Sequence, residues 1–176
     1  MANKQALREL QTRLAERLQV ARTQGVAASW LAVQADEKNY LFPLSQSGEI
    51  FPWTAPQPVP YTRDWFVGVA NLRGGLFGVV DLAGLTGNKP QRIRAEVARA
   101  ESRFVALNSA LELNCALWVD RLSGLRNQSM FCDFSERAND APEYFGNRYI
   151  DFNGAAWQEI NLQQLAQQAH FLSIGA

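Results

Sequence analysis

Between residues 30 and 160 the chain is cut into short apolar stretches of period two, separated by clusters of Gly, Pro, Asn and Asp. Short strands at such close spacing leave no room for a crossover helix after each one, so a parallel α/β sheet is disfavoured. They bury their apolar faces most readily by closing into small β-barrels.

The expected strands follow from that period. Residues 30–35 and 40–44 read as a hairpin around Asp36-Glu37-Lys38-Asn39, with a third strand over 48–53. Pro52, Pro56, Pro58 and Pro60 cannot donate to a ladder, so 52–60 reads as an extended surface connector. Residues 65–72 (WFVGVANL) and 76–82 (LFGVVDL) pair through Arg73-Gly74-Gly75. A polar segment over 87–102, with Pro90 near its start, suits a short exposed helix. Strands resume at 104–108, 113–119 and 125–130, followed by an acidic stretch over 133–147 that reads as a long loop. Two closing strands, 147–152 and 155–160, flank Asn153-Gly154, a strong hairpin signal.

Each end is helical by pattern. Leu7, Leu10, Leu14, Leu18 and Ala21 recur at steps of three and four over 4–24, with charged residues on the other faces and Gly25 as a stop. Asn161 is a fair N-cap for a last helix over 162–171. The chain thus divides into an N-terminal helix, 1–25, and one β-rich domain, 26–176.

Composition narrows the function. Seventeen basic and 17 acidic residues cancel, so no global field draws the chain to nucleic acid or an anionic membrane. Charge is uneven nonetheless: 4–22 and 89–103 each carry five basic against two acidic residues, and 133–151 the reverse. These patches are solvated faces or steer a protein partner. The N-terminus is charged where a secretion signal needs an apolar run, and no stretch approaches the ~20 apolar residues that span a bilayer. A cytoplasmic protein is expected.

No catalytic set is visible. His170 is the single histidine, GxSxG is absent, and Cys115 and Cys132 lack metal-site spacing, so no catalytic residue, metal or cofactor is expected. The glycines of GGLFG at 74–78 lack the Lys-Ser/Thr of a phosphate loop and precede a strand; hairpin geometry explains them.

Gly68-Val69-Ala70-Asn71-Leu72-Arg73-Gly74-Gly75, followed by Val79-Val80-Asp81-Leu82, resembles the signature of the CheW-like domain, the coupling module of bacterial chemosensory arrays. The sequence departs from that pattern at Gly78, where a proline is usual. Glu49-Ile50 falls at the usual Glu-Ile position, and Ala116-Leu117-Trp118-Val119-Asp120 fits the Val-Asp strand of the second barrel, so the likeness spans about residues 29–165.

The resemblance implies two small SH3-like barrels sharing a core. It implies a non-catalytic adaptor that binds a chemoreceptor tip in the groove between barrels and the regulatory domain of a CheA-type histidine kinase through barrel ends. The N-terminal helix, Trp-rich strands and proline-rich connector are similar to the PilI-type adaptors of type IV pilus twitching systems. Receptor-facing candidates carried over are Glu49, Gly68, Asn71, Arg73 and Gly74. Arg73 could instead be a solvated turn residue or pair with Asp81 in its own hairpin, and Gly68 and Gly74 could serve backbone geometry. Two other readings stay open: a barrel that binds nucleic acid or a small ligand, and an enzyme without a familiar motif.

Overall fold

The computed structural model describes residues 29–87 and 96–176. The helix expected over 4–24 lies outside them. Strands β1 (Trp30–Ala35) and β2 (Lys38–Pro43) pair from Trp30↔Pro43 to Ala35↔Lys38. Their turn is only Asp36-Glu37, both left-handed (φ 48° and 63°), so Lys38 and Asn39 belong to the strand. After β3 (Ser47–Pro52) and the connector come β4 (Phe66–Leu72), β5 (Gly75–Asp81) and α1 (Leu82–Gly87), a helix that takes Leu82 from the end of the expected 76–82 strand and covers 83–86, which the sequence pattern assigned to no element. Its Leu82, Ala83, Gly84 and Leu85 are all buried.

The helix expected within 87–102 is described as α2 (Glu96–Glu101). Then follow β6 (Arg103–Leu107), β7 (Cys115–Val119), β8 (Arg121–Arg126), β9 (Phe131–Ser135), β10 (Phe145–Asp151), β11 (Ala156–Ile160), α3 (Leu162–Gln167) and α4 (Ala169–Leu172).

Three expectations are corrected here. The strand placed at 125–130 begins at Arg121, and Gln128–Met130 is a 3-10 turn in which the Asn127 side chain accepts from the Ser129 N–H at 3.1 Å. The long loop over 133–147 is interrupted by β9, which pairs with β10, and β10 already starts at Phe145. The last helix breaks at Gln168, whose backbone is extended. The expected cap does form: Asn161 Oδ1 accepts from the Gln164 N–H at 3.0 Å.

The strands make two sheets, in the orders β8-β1-β2-β11-β10-β9 and β3-β6-β7-β5-β4. Each curls around its own apolar filling, Trp30, Ala32, Leu41, Tyr149 and Trp157 in the first. Phe51, Leu72, Val79, Phe104, Ala116 and Trp118 fill the second. The alternate faces of both sheets meet in one larger core with Leu31, Val33, Phe42, Val80, Leu117, Ile160 and Leu165. The chain is mainly β, two barrel-like sheets on a shared core, as the strand spacing requires.

The proline-rich connector lies across β4. Gln57 N–H donates to the Val69 carbonyl at 2.7 Å, and Val69 N–H returns a bond to Gln57 at 2.9 Å. The connector then reaches the C-terminal residues, where Arg63 N–H donates to the Ile174 carbonyl and Ala176 N–H to that of Tyr61.

Candidate functional site

The β4–β5 turn is two residues, Arg73 (φ 50°) and Gly74 (φ 84°), with Gly75 already in the strand. Asn71 Oδ1 accepts from the Gly74 N–H at 2.9 Å and holds the turn shut, as short amide side chains do at left-handed corners. Arg73 is thereby pushed into solvent, its side chain 76% exposed, where it forms an ion pair with Glu49, itself 44% exposed. β3 and β4 are the two edges of the five-stranded sheet, so this pair exists because the sheet closes on itself. The Phe51 and Phe77 rings, 5.9 Å apart, bridge β3 to β5 within the barrel.

An ion pair this open to water contributes ~0–1 kcal/mol to stability. Its geometry is therefore better explained as a fixed, solvent-facing charge pair than as a brace. Arg73 does not pair with Asp81. That residue is fully buried at the far end of β5, where its Oδ1 accepts from the Ala83 N–H.

From the turn an outward-facing strip runs down the hairpin. Asn71 stands opposite Leu76, and Val69 opposite Gly78. Leu76 is 63% exposed. The departure at Gly78 has a local cause: its N–H donates to the Asn114 carbonyl at 2.9 Å, and an added Cβ would sit 3.0 Å from the Phe66 ring. Proline there would delete the bond and crowd the ring. Gly78→Pro should lose about 2 kcal/mol in a urea melt. Unchanged stability would show that β7's approach does not depend on that bond.

Of the five sequence candidates, Glu49, Asn71, Arg73 and Gly74 come together at this tip. Gly68 does not. It is buried beneath the connector with φ 138°, and a Cβ would land on the Gln57 carbonyl oxygen. Only a residue without a side chain lets the connector lie so close.

Cys115 and Cys132 are free thiols, and burial pushes Cys115 up to about 12, far from a thiolate at neutral pH. His170 packs its ring 5.8 Å from Trp65. Among the described residues no His, Cys, Asp or Glu group could hold a metal ion. No described helix is long and apolar enough to cross a membrane.

A buried polar cluster is at Asp151, which sequence reading missed because its partners come from two other strands and a turn. Asp151 Oδ2 accepts from Trp157 Nε1 at 3.0 Å, and Oδ1 accepts from the N–H groups of Asn153 (2.9 Å) and Ala155 (3.0 Å). Arg126 stands 3.8 Å away with its guanidinium 4.4 Å from the Trp157 ring centre. The indole bond, the two backbone amides and Arg126 outweigh burial and hold the carboxyl below the usual range.

Comparison with known proteins meets this geometry directly. The model of the CheW-like domain family matches residues 29–169, from the start of β1 into α4. The chain belongs to the CheW-like family. Among solved structures, the scaffolding protein TtCheW from Thermoanaerobacter tengcongensis is similar at 17% identity with a TM-score of 0.58. That similarity covers 74% of this chain and 86% of that one, and at such low identity it establishes a common fold. The search of curated proteins gives no significant match. The CheW-like match includes both barrels and the whole Glu49–Arg73 tip.

Proposed function

We propose that this CheW-like chain is a non-catalytic adaptor that couples a chemoreceptor tip to a CheA-type histidine kinase. The observation that carries the reading is the Glu49–Arg73 pair, capped by Asn71 and flanked by exposed Leu76. A planar guanidinium with an apolar neighbour, held at a rigid turn, fits a polar anchor for a receptor helix. The kinase regulatory domain takes the other barrel, where Leu125 on β8, Phe134 on β9, and Met130 and Phe152 in adjoining turns are exposed. The protein works in the cytoplasm and reaches the membrane through receptors. Affinities near micromolar, roughly −8 kcal/mol, suit an adaptor strengthened by multivalency in an array.

Arg73→Ala should cost at least ~2 kcal/mol of receptor binding, about thirtyfold, with folding stability within about 0.5 kcal/mol. Kinase affinity should hold. Arg73→Lys should recover part of the loss, since an ammonium keeps the charge but not the fork. Calorimetric titration with a receptor-tip fragment and with the kinase regulatory domain checks both surfaces. Equal receptor affinity in wild type and Arg73→Ala would remove the tip from the interface.

The narrower assignment is to type IV pilus twitching. It is supported by the N-terminal amphipathic pattern, the Trp-rich strands and a proline connector that folds over β4. Deletion should abolish twitching while sparing growth, and the Arg73→Ala gene should fail to restore it. Normal twitching in the deletion would place the adaptor in another chemosensory system.

A further inference from the structure

The outward strip on β5 ends in a cavity of about 240 Å³ between the hairpin and the C-terminal turn. Phe66, Gly78, Val80, Leu113, Phe171 and Ile174 line it, with half-exposed Leu172 at its rim. We infer that this cavity is a specificity pocket that takes one large apolar side chain from the receptor helix anchored at Arg73. The inference rests on the docking surface proposed above and adds the chemistry of its partner.

Three observations carry it. The lining is almost wholly apolar, and a dry apolar cavity of ~150 Å³ already holds a benzene ring, so a Phe, Leu or Met side chain fits. The pocket is continuous with the tip: Asn71 faces Leu76 on the outer side of the hairpin, Val69 faces Gly78 in the next outward row, and Phe66 and Val80 pair beyond them. Gly75 and Gly78 lie three strand residues apart, roughly 10 Å. That matches about two turns of a helix laid along β5, so one helix face can meet Arg73 and enter the pocket.

Gly78 sets the depth. A side chain at 78 would start 3.0 Å from the Phe66 ring and grow into the cavity. The missing side chain therefore leaves room for the partner, while the backbone N–H, which only a proline would remove, still reaches the Asn114 carbonyl.

The test uses the full chain with Ile, Leu and Val methyls labelled, titrated with a purified receptor-tip fragment. The methyl signals of Val80, Leu113 and Ile174 should shift with the same saturation as binding. Gly78→Val should weaken receptor binding at least tenfold, and Arg73→Ala should weaken it further in that background. Leu172→Glu, which alters only the rim, should cause a similar tenfold loss and serves if Gly78→Val folds poorly. Unshifted pocket methyls at saturation, or both variants binding within twofold of wild type, overturn the pocket while Arg73-dependent binding leaves the docking surface standing. Failure of the wild type to bind the fragment removes the docking surface and the pocket with it.

Discussion

Asp151→Ala is expected to lower the unfolding free energy by about 3 kcal/mol, the cost of leaving partners of a buried charge without it. The carboxylate is 5% exposed and serves the Trp157 indole N–H, two amides of the β10–β11 turn and the Arg126 guanidinium. Alanine strands all four. Asp151→Asn should lose less, because its carbonyl can still accept from the turn amides while its NH₂ opposes the indole. The effect should also depend on pH. A carboxyl held below its ordinary range in the folded state stabilises fully above that range and progressively less as pH falls through the lowered value. Urea melts should therefore show the full gap between wild type and Asp151→Ala at neutral pH and a closing gap in acid. A gap that is small at pH 7, or constant down to acid, would show that the charge is idle.

Gly68→Ala should be comparably damaging, about 3 kcal/mol, although it adds a single methyl group. The backbone sits at φ 138°, a conformation costing non-glycine residues ~1–3 kcal/mol, and the methyl meets the Gln57 carbonyl in a packed site. The strain can be relieved only by lifting the connector off β4, so the Val69 and Gln57 amides should lose protection from hydrogen exchange. Receptor affinity measured on the folded fraction should fall far less than for Arg73→Ala. Wild-type stability with a protected Val69 amide would mean that the connector tolerates the methyl.

Much of the fold was legible because the apolar period and the turn residues agree. The 30–43 hairpin, the 66–81 hairpin and β6, β7, β10 and β11 all fall where alternation puts them. β9 escaped because FCDFS sits on the edge of its sheet and is largely exposed, so no buried face imposes alternation. The β1–β2 turn was misjudged in length, since Asp36 and Glu37 both adopt a left-handed shape that Asn-Gly or Gly-Gly usually advertises. At Asn153-Gly154 the signal was right and the detail different: Gly154 N–H bonds to the Asp151 carbonyl, and the Asp151 side chain holds the turn from inside.

The site was legible in part for a similar reason. Asn71, Arg73 and Gly74 are adjacent in sequence and share one turn. Glu49 lies on β3, at the opposite edge of the sheet from β4, and its meeting with Arg73 follows only from the closure of the sheet. The Asp151 cluster was invisible for the same cause, because Arg126, Trp157 and the β10–β11 turn converge only once the first barrel exists.

The bond pair between Gln57 and Val69 turns both polar groups of Gln57 toward β4, so the outer side of the connector is presented by its neighbours, Pro56 and Pro58. Neither has an N–H, so that flank displays acceptors without donors and cannot recruit a further strand. Where many copies are crowded side by side, a raw strand edge would be an invitation to uncontrolled polymerisation. The proline strap works as a stopper: along this flank, copies can associate only through side chains, whose fit evolution can adjust and a signalling array can reverse.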